Sequence, residues 1–203
     1  FASESMKSAN RSKNALVIAL VCLVSSAAQA EGTSVRLDVG RSDIKANGVE
    51  DSTAIVGFTL GQVITDNIRA ELGFRDLGGF TARRNGVSAI NELNAEMFEV
   101  GIAGQFPLTD VVPGFYLEAR IGMGFFDVDG KSQAVLVGQS LGPIVKYKAS
   151  GNKLYYGVGA GYQMNKQFAV GLSFAEYRAE QEIGASTKDI DFPTLSVNAT
   201  FSF

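Results

Sequence analysis

The 203-residue chain reads as all-β: eight antiparallel strands wound up and down into a barrel that crosses a membrane, with short turns at one end and long loops at the other. Three observations lead there. Eight segments alternate strictly between apolar residues and polar or small ones, the period of strands with one greasy and one wet face. A secretory leader opens the chain, yet no apolar run after it approaches the roughly 18 residues of a membrane helix. Charge is confined to the wet face, while the greasy face is aliphatic in the middle and aromatic toward its ends.

The leader comes first. From Met6, a head carrying Lys7, Arg11 and Lys13 precedes an apolar run from Ala15 to Val24 and the small-x-small pattern Ala28-Gln29-Ala30. That layout predicts a signal peptide cut between Ala30 and Glu31, and so two segments: 1–30, upstream residues and leader, and 31–203, one barrel domain. Cys22 follows Val21, which is bulky where lipid attachment wants a small residue. The mature part has no cysteine and no histidine, so no disulfide staples it. Removing Lys7, Arg11, Lys13 and Glu4 from 18 basic and 21 acidic residues leaves 15 and 20, a net charge of −5. Nucleic acid is therefore not an expected partner.

The strands follow in order. Val35, Leu37 and Val39 alternate with Arg36 and Asp38; Ala54, Val56, Phe58 and Leu60 with Thr53, Gly57 and Thr59; Ile68, Ala70, Leu72 and Phe74 with Arg69, Glu71, Gly73 and Arg75. Phe98, Val100, Ile102 and Phe106 oppose Glu99, Gly101, Ala103 and Gln105. Phe115 to Phe125 alternates with Tyr116, Glu118, Arg120 and two glycines. Tyr156 to Tyr162 opposes Tyr155 and three glycines, Phe168 to Phe174 opposes Ala169, Gly171 and Ser173, and Leu195, Val197, Ala199, Phe201 and Phe203 close the chain.

Connections alternate too. "ITDN" at 64–67, "PLTDVVPG" at 107–114 and "MNKQ" at 164–167 are short, whereas the others are longer and more polar, the longest running from about Asp127 to Asn152. Tight periplasmic turns and long extracellular loops are the pattern of an outer-membrane barrel, and an even strand number leaves both ends in the periplasm. Phe106, Phe115, Tyr162, Phe168 and Phe203 then girdle the turn end, and Phe74, Phe98, Phe125, Tyr156 and Phe174 the loop end. Inside, Arg36, Arg69, Arg75 and Arg120 balance Asp38, Glu71, Glu99 and Glu118. An eight-stranded barrel is only wide enough for side chains to fill, so these eight are expected to pair and close the lumen, with glycines 157, 159 and 161 giving Glu118 and Arg120 room. A periplasmic barrel of lipocalin type, its greasy face lining a cup, is the competing arrangement; it leaves Phe203 and the balanced charges unexplained.

"NIRAELGFRDLGG" at 67–79, "YYGVGAGYQMNKQFAVGLSFAEYR" at 155–178 and the terminal "NATFSF" resemble the membrane domain of OmpA-type outer-membrane proteins, with the OmpX/Ail and OmpW barrels as relatives. The resemblance implies a barrel delivered by periplasmic chaperones and folded by the outer-membrane assembly machinery, with Phe201 and Phe203 on the last strand as its recognition tag. The sequence departs from OmpA in ending at Phe203, so tethering to peptidoglycan is not carried over.

Chemistry is excluded more easily than function is assigned. Without histidine there is no Ser-His or Asp-His pair, and Glu71, Glu99 and Glu118 stand among arginines that read as ion-pair partners. "DVDG" at 127–130 fails the calcium-loop spacing and reads as an Asp-Gly turn, while "GVGAG" at 157–161 lacks the helix a dinucleotide site requires. "NAT" at 198–200 lies within a strand, where a glycosylation match carries no weight. No enzyme activity, cofactor or metal is expected. The loops hold Arg83, Arg84, Lys131, Lys146, Lys148 and Lys153, donors suited to lipopolysaccharide phosphates, or else simply solvated charge. Beside them "AVLVG" at 134–138 is apolar enough to extend a strand or meet a partner. The expected role is structural, with surface interaction through the loops toward lipid, lipopolysaccharide and a host or envelope ligand. A narrow pore for ions or small solutes is the alternative.

Overall fold

The computed structural model describes residues 31–46, 49–83, 88–108, 112–136, 139–140, 145–183 and 186–203, with side chains for 31–43, 51–79, 94–108, 112–130, 150–178 and 191–203. The expected leader lies outside them. Eight long strands are present: β1 (Thr33–Ala46), β2 (Val49–Thr65), β3 (Ile68–Arg83), β4 (Ser88–Pro107), β5 (Phe115–Leu136), β7 (Val145–Gln163), β8 (Phe168–Ile183) and β9 (Ser186–Ser202). A two-residue strand, β6 (Gln139–Ser140), pairs onto the end of β5. Every long strand is antiparallel to its neighbours, β1 pairs with β9, and the β4–β5 pairing completes the circuit. The barrel is closed, which leaves no unpaired strand edge to face lipid.

The solvent has inverted the usual arrangement. Leu37, Val39, Val56, Leu72, Val100, Ile121, Val158, Leu172, Leu195 and Val197 stand outward and exposed, whereas Arg36, Asp38, Glu71, Arg75, Glu99, Glu118 and Arg120 are buried inside. Outward aromatics band the belt. Phe74, Phe98 and Phe125 fall in one register row near the loop end, and Phe115 packs on Tyr162 at 5.1 Å near the turns. Above that row the outer face turns polar on several strands. Phe74 gives way to Asp76, Phe98 to Glu96, Phe125 to Asp127, Phe174 to Glu176, and on β1 Val39 to Arg41.

The strands do not stop there, which corrects the loop lengths expected from sequence. They run from 14 residues in β1 to 22 in β5, although about 9–11 tilted residues cross a bilayer. Ala46 pairs with Val49, so β1 and β2 stay paired to within two residues of each other along the chain. The expected 26-residue loop is mostly hairpin, with Ser132 still opposite Val145. "DVDG" is likewise no turn, since Asp127 pairs with Glu96 and Gly130 with Leu93 along the middle of β5. The physical reason is continued alternation: Asp127 and Asp129 face out while Phe126 and Val128 are buried, as in any sheet with one wet face.

Above the charged level the interior turns apolar. Ile55, Leu77, Ala95, Met97, Phe126, Val128, Tyr155, Ala175, Tyr177 and Phe192 form one buried cluster, with Phe126 stacked on Phe192 at 6.4 Å. The strands at and beyond the outer aromatic row thus enclose a packed core of the kind found in soluble proteins.

Candidate functional site

The eight charged residues expected in the lumen lie on β1, β3, β4 and β5, and the barrel brings all of them together. Arg36 pairs with Asp38 at 3.0 Å and with Glu118; Glu118 also holds Arg69. Arg69 meets Glu71 at 2.9 Å, Glu71 meets Arg120 at 2.7 Å, and Arg120 meets Glu99 at 3.3 Å. Glu99 is 3.4 Å from Arg75, and Arg75 is 3.5 Å from Asp38. The circuit closes where it began. Each residue has one opposite charge on either side, so the network is a neutral ring of alternating sign.

Burying an isolated charge costs several kcal/mol, which explains why the ring is lined with further donors. Thr59 donates to Glu99 at 3.2 Å, Arg36 to Ser173 at 2.9 Å, Arg69 to Gln105 at 3.0 Å and Ser196 to Asp38 at 3.3 Å. Tyr177 donates to Glu99 at 3.4 Å and lays its ring 5.4 Å from the Arg75 guanidinium, joining the ring to the apolar cluster above. Asp38 Oδ2, Arg75 Nε and Tyr155 Oη are buried without a hydrogen-bond partner among the described residues. None of these helpers was singled out from sequence, although each shares the phase of a charged residue on its own or a neighbouring strand.

Glycine stands against the ring residues on β2, β3 and β7. A Cβ on Gly73 would stand 2.6 Å from Glu99 Oε1, and one on Gly57 2.9 Å from Arg75 Nη1. Gly157 pairs with Arg120 and Gly159 with Glu118, and a Cβ on either would also meet Ala175, Ser173 or the β8 backbone.

Three of the loop cations share the β5–β7 hairpin. Lys131 pairs with Lys146, Lys148 with Asp129 and Arg83 with Ile90 along the backbone; their side chains, and Arg84 altogether, lie outside the described residues. Lys153 is half-buried and pairs with Gly124 in phase with Tyr155, which places it on the interior side rather than the outer rim. At the other end, Phe203 donates its backbone N–H to Thr33 at 2.9 Å, and its ring meets Phe201 edge-on at 4.9 Å.

The family described as outer membrane protein beta-barrel domain matches residues 15–203. The chain belongs to that family. This outer-membrane barrel has no sequence match among curated proteins. Solved structures share its architecture: Neisserial surface protein A, with a TM-score of 0.52 at 10% identity, covers 85% of this chain and 98% of its own. OprG from Pseudomonas aeruginosa gives 0.51 at 10% identity, covering 85% and 96%. Ail from Yersinia pestis, in complex with the heparin analogue sucrose octasulfate, gives 0.50 at 16% identity, covering 86% and 100%. At these identities the likeness is one of fold.

Proposed function

We propose that this barrel is a non-conducting, non-enzymatic protein of the outer membrane that acts structurally and through its extracellular end, after loss of residues 1–30 as a leader. The observation that carries the reading is the filled interior. An ion ring and an apolar cluster occupy the lumen, so the extended hairpins are what remains to meet a partner. Lys131 lies about 20 Å along β5 beyond Phe125, well clear of the apolar belt. Purified barrel in planar bilayers should show no steady conductance, and a constant porin-like current would replace this reading with the narrow pore.

Lipopolysaccharide is the first partner to test, because its phosphates accept charge-assisted bonds from lysine. Polyanion binding has precedent on this fold, since Ail was solved with sucrose octasulfate. Changing Lys131, Lys146 and Lys148 together to glutamine should weaken salt-sensitive association with lipopolysaccharide severalfold. Unchanged binding would make them ordinary solvated charge.

The last strand supports an assembly role for Phe201 and Phe203. Deleting Phe203 removes one edge-on ring contact and two backbone bonds, to Gly32 and Thr33, a modest loss to the folded barrel. Assembled barrel in cells should fall much further than refolding yield in detergent, because recognition by the assembly machinery is lost only in cells. Equal losses in both assays would reduce Phe203 to packing.

A further inference from the structure

The interior is blocked twice, at two levels and by two kinds of chemistry. Moving along each strand toward the extracellular end, the ring comes first and the apolar cluster second. Glu99 precedes Met97 and Ala95 on β4, Arg120 precedes Phe126 and Val128 on β5, and Arg75 precedes Leu77 on β3. Thr59, bonded to Glu99, likewise precedes Ile55 on β2, and Ser196, bonded to Asp38, precedes Phe192 on β9. The order is the same on five strands, so these are stacked layers rather than a mixture.

The layers would stop an ion for different reasons. In the ring, every charge is already neutralised by two neighbours, and the side chains are buried; Arg75 is 1% exposed and Glu99 0%. A passing ion would have to displace a paired group. The side chains of the apolar cluster carry no charge and are closely packed, with half-buried Lys153 beside Met97 and Phe126, and an apolar constriction excludes water and hence hydrated ions. Phe126, Met97, Ile55, Leu77 and Phe192 are each 3% exposed or less. Tyr177 joins one layer to the other, through Glu99 and the Arg75 guanidinium.

We propose that the lumen is shut by two seals in series, the alternating-charge ring and the apolar layer above it, either of which suffices alone. A conducting path then requires both to be broken. The inference rests on the non-conducting reading above and adds that disrupting the ring does not by itself open the barrel.

The test cuts each seal without leaving a stray charge. Arg69→Ser with Glu118→Ser removes two adjacent members and leaves the other six in an alternating, neutral chain. Phe126→Ala with Phe192→Ala removes the stacked pair from the layer. In planar bilayers, with folding checked by the heat shift on gels, the parent and both two-residue variants should be silent, and the four-residue combination should show steady openings. A second measurement does not need the combination to fold. Ser196 lies 4% exposed at ring level, hydrogen-bonded to Asp38. With Ser196→Cys in a Cys22→Ser background, a charged, membrane-impermeant maleimide added outside should label only when the layer is cut. Added from the periplasmic side, it should label only when the ring is cut. Steady current or label from the wrong side in a variant with one seal intact would overturn the proposal, as would a folded but silent combination. A conducting parent would instead overturn the non-conducting reading itself.

Discussion

Replacing Arg120 with leucine is expected to destabilise the barrel by roughly 3 to 5 kcal/mol, the usual loss when one member of a buried ion pair is removed. Arg120 holds Glu71 at 2.7 Å and Glu99 at 3.3 Å, and it is 5% exposed. Its loss opens the ring and leaves a net negative charge in a closed interior. Glu71 and Glu99 each keep one arginine, Arg69 and Arg75, which limits the damage but does not restore neutrality. The ring geometry makes a sharper claim than the single variant does. Removing neighbours of opposite sign together, Arg69 with Glu118, should cost less than removing Arg120 alone, because the remaining chain still alternates and still sums to zero. Urea unfolding in detergent micelles would measure both. An Arg120→Leu barrel within about 1 kcal/mol of the parent would show that the ring is not held by its charges.

The second large effect is expected one residue outside that level. Phe125 and Phe126 are neighbours in sequence but face opposite ways, Phe125 into lipid at 45% exposure and Phe126 into the apolar layer at 3%. Phe126→Ala should cost roughly 3 to 5 kcal/mol, combining lost burial with a cavity that the stacked Phe192 cannot fill. Phe125→Ala leaves no cavity, since lipid closes over the site, and should cost far less. Unfolding measured on the two variants side by side gives the comparison, and protease nicking of the extended hairpins should rise only with Phe126→Ala. Equal losses would mean that the extracellular strands lack a core of their own.

The same doublet shows where sequence is legible and where it is not. Alternation reveals that Glu118 and Arg120 share a face with Arg36 and Asp38, because a period of two needs no knowledge of neighbours. It cannot reveal that Arg36 bonds Glu118, 82 positions away, since that depends on which strands look at each other across the closed lumen. The apolar layer was hidden for a different reason. "FF" at 125–126 and "YY" at 155–156 supply one aromatic to each face, and only the outward member fits a girdle. The strand ends were misread because "DVDG" carries turn residues and alternation at once. Turn chemistry suggested a loop; beyond the membrane, acids on an outer strand face are as comfortable as in a turn.

The level at which the outer face turns polar also fixes how much hydrocarbon each strand can meet. On β5 the greasy outer face runs from Phe115 to Phe125, about 33 Å of strand; on β1 it runs only from Val35 to Val39, about 13 Å, before Arg41. A bilayer of uniform thickness cannot match both. Lipid beside β1 must become thinner, or the barrel must lean so that β1 rides toward the thinner edge, and Arg41, exposed and paired with Asp43, must carry its guanidinium up to the headgroups. The barrel is thus a lopsided guest that strains its host membrane along one side.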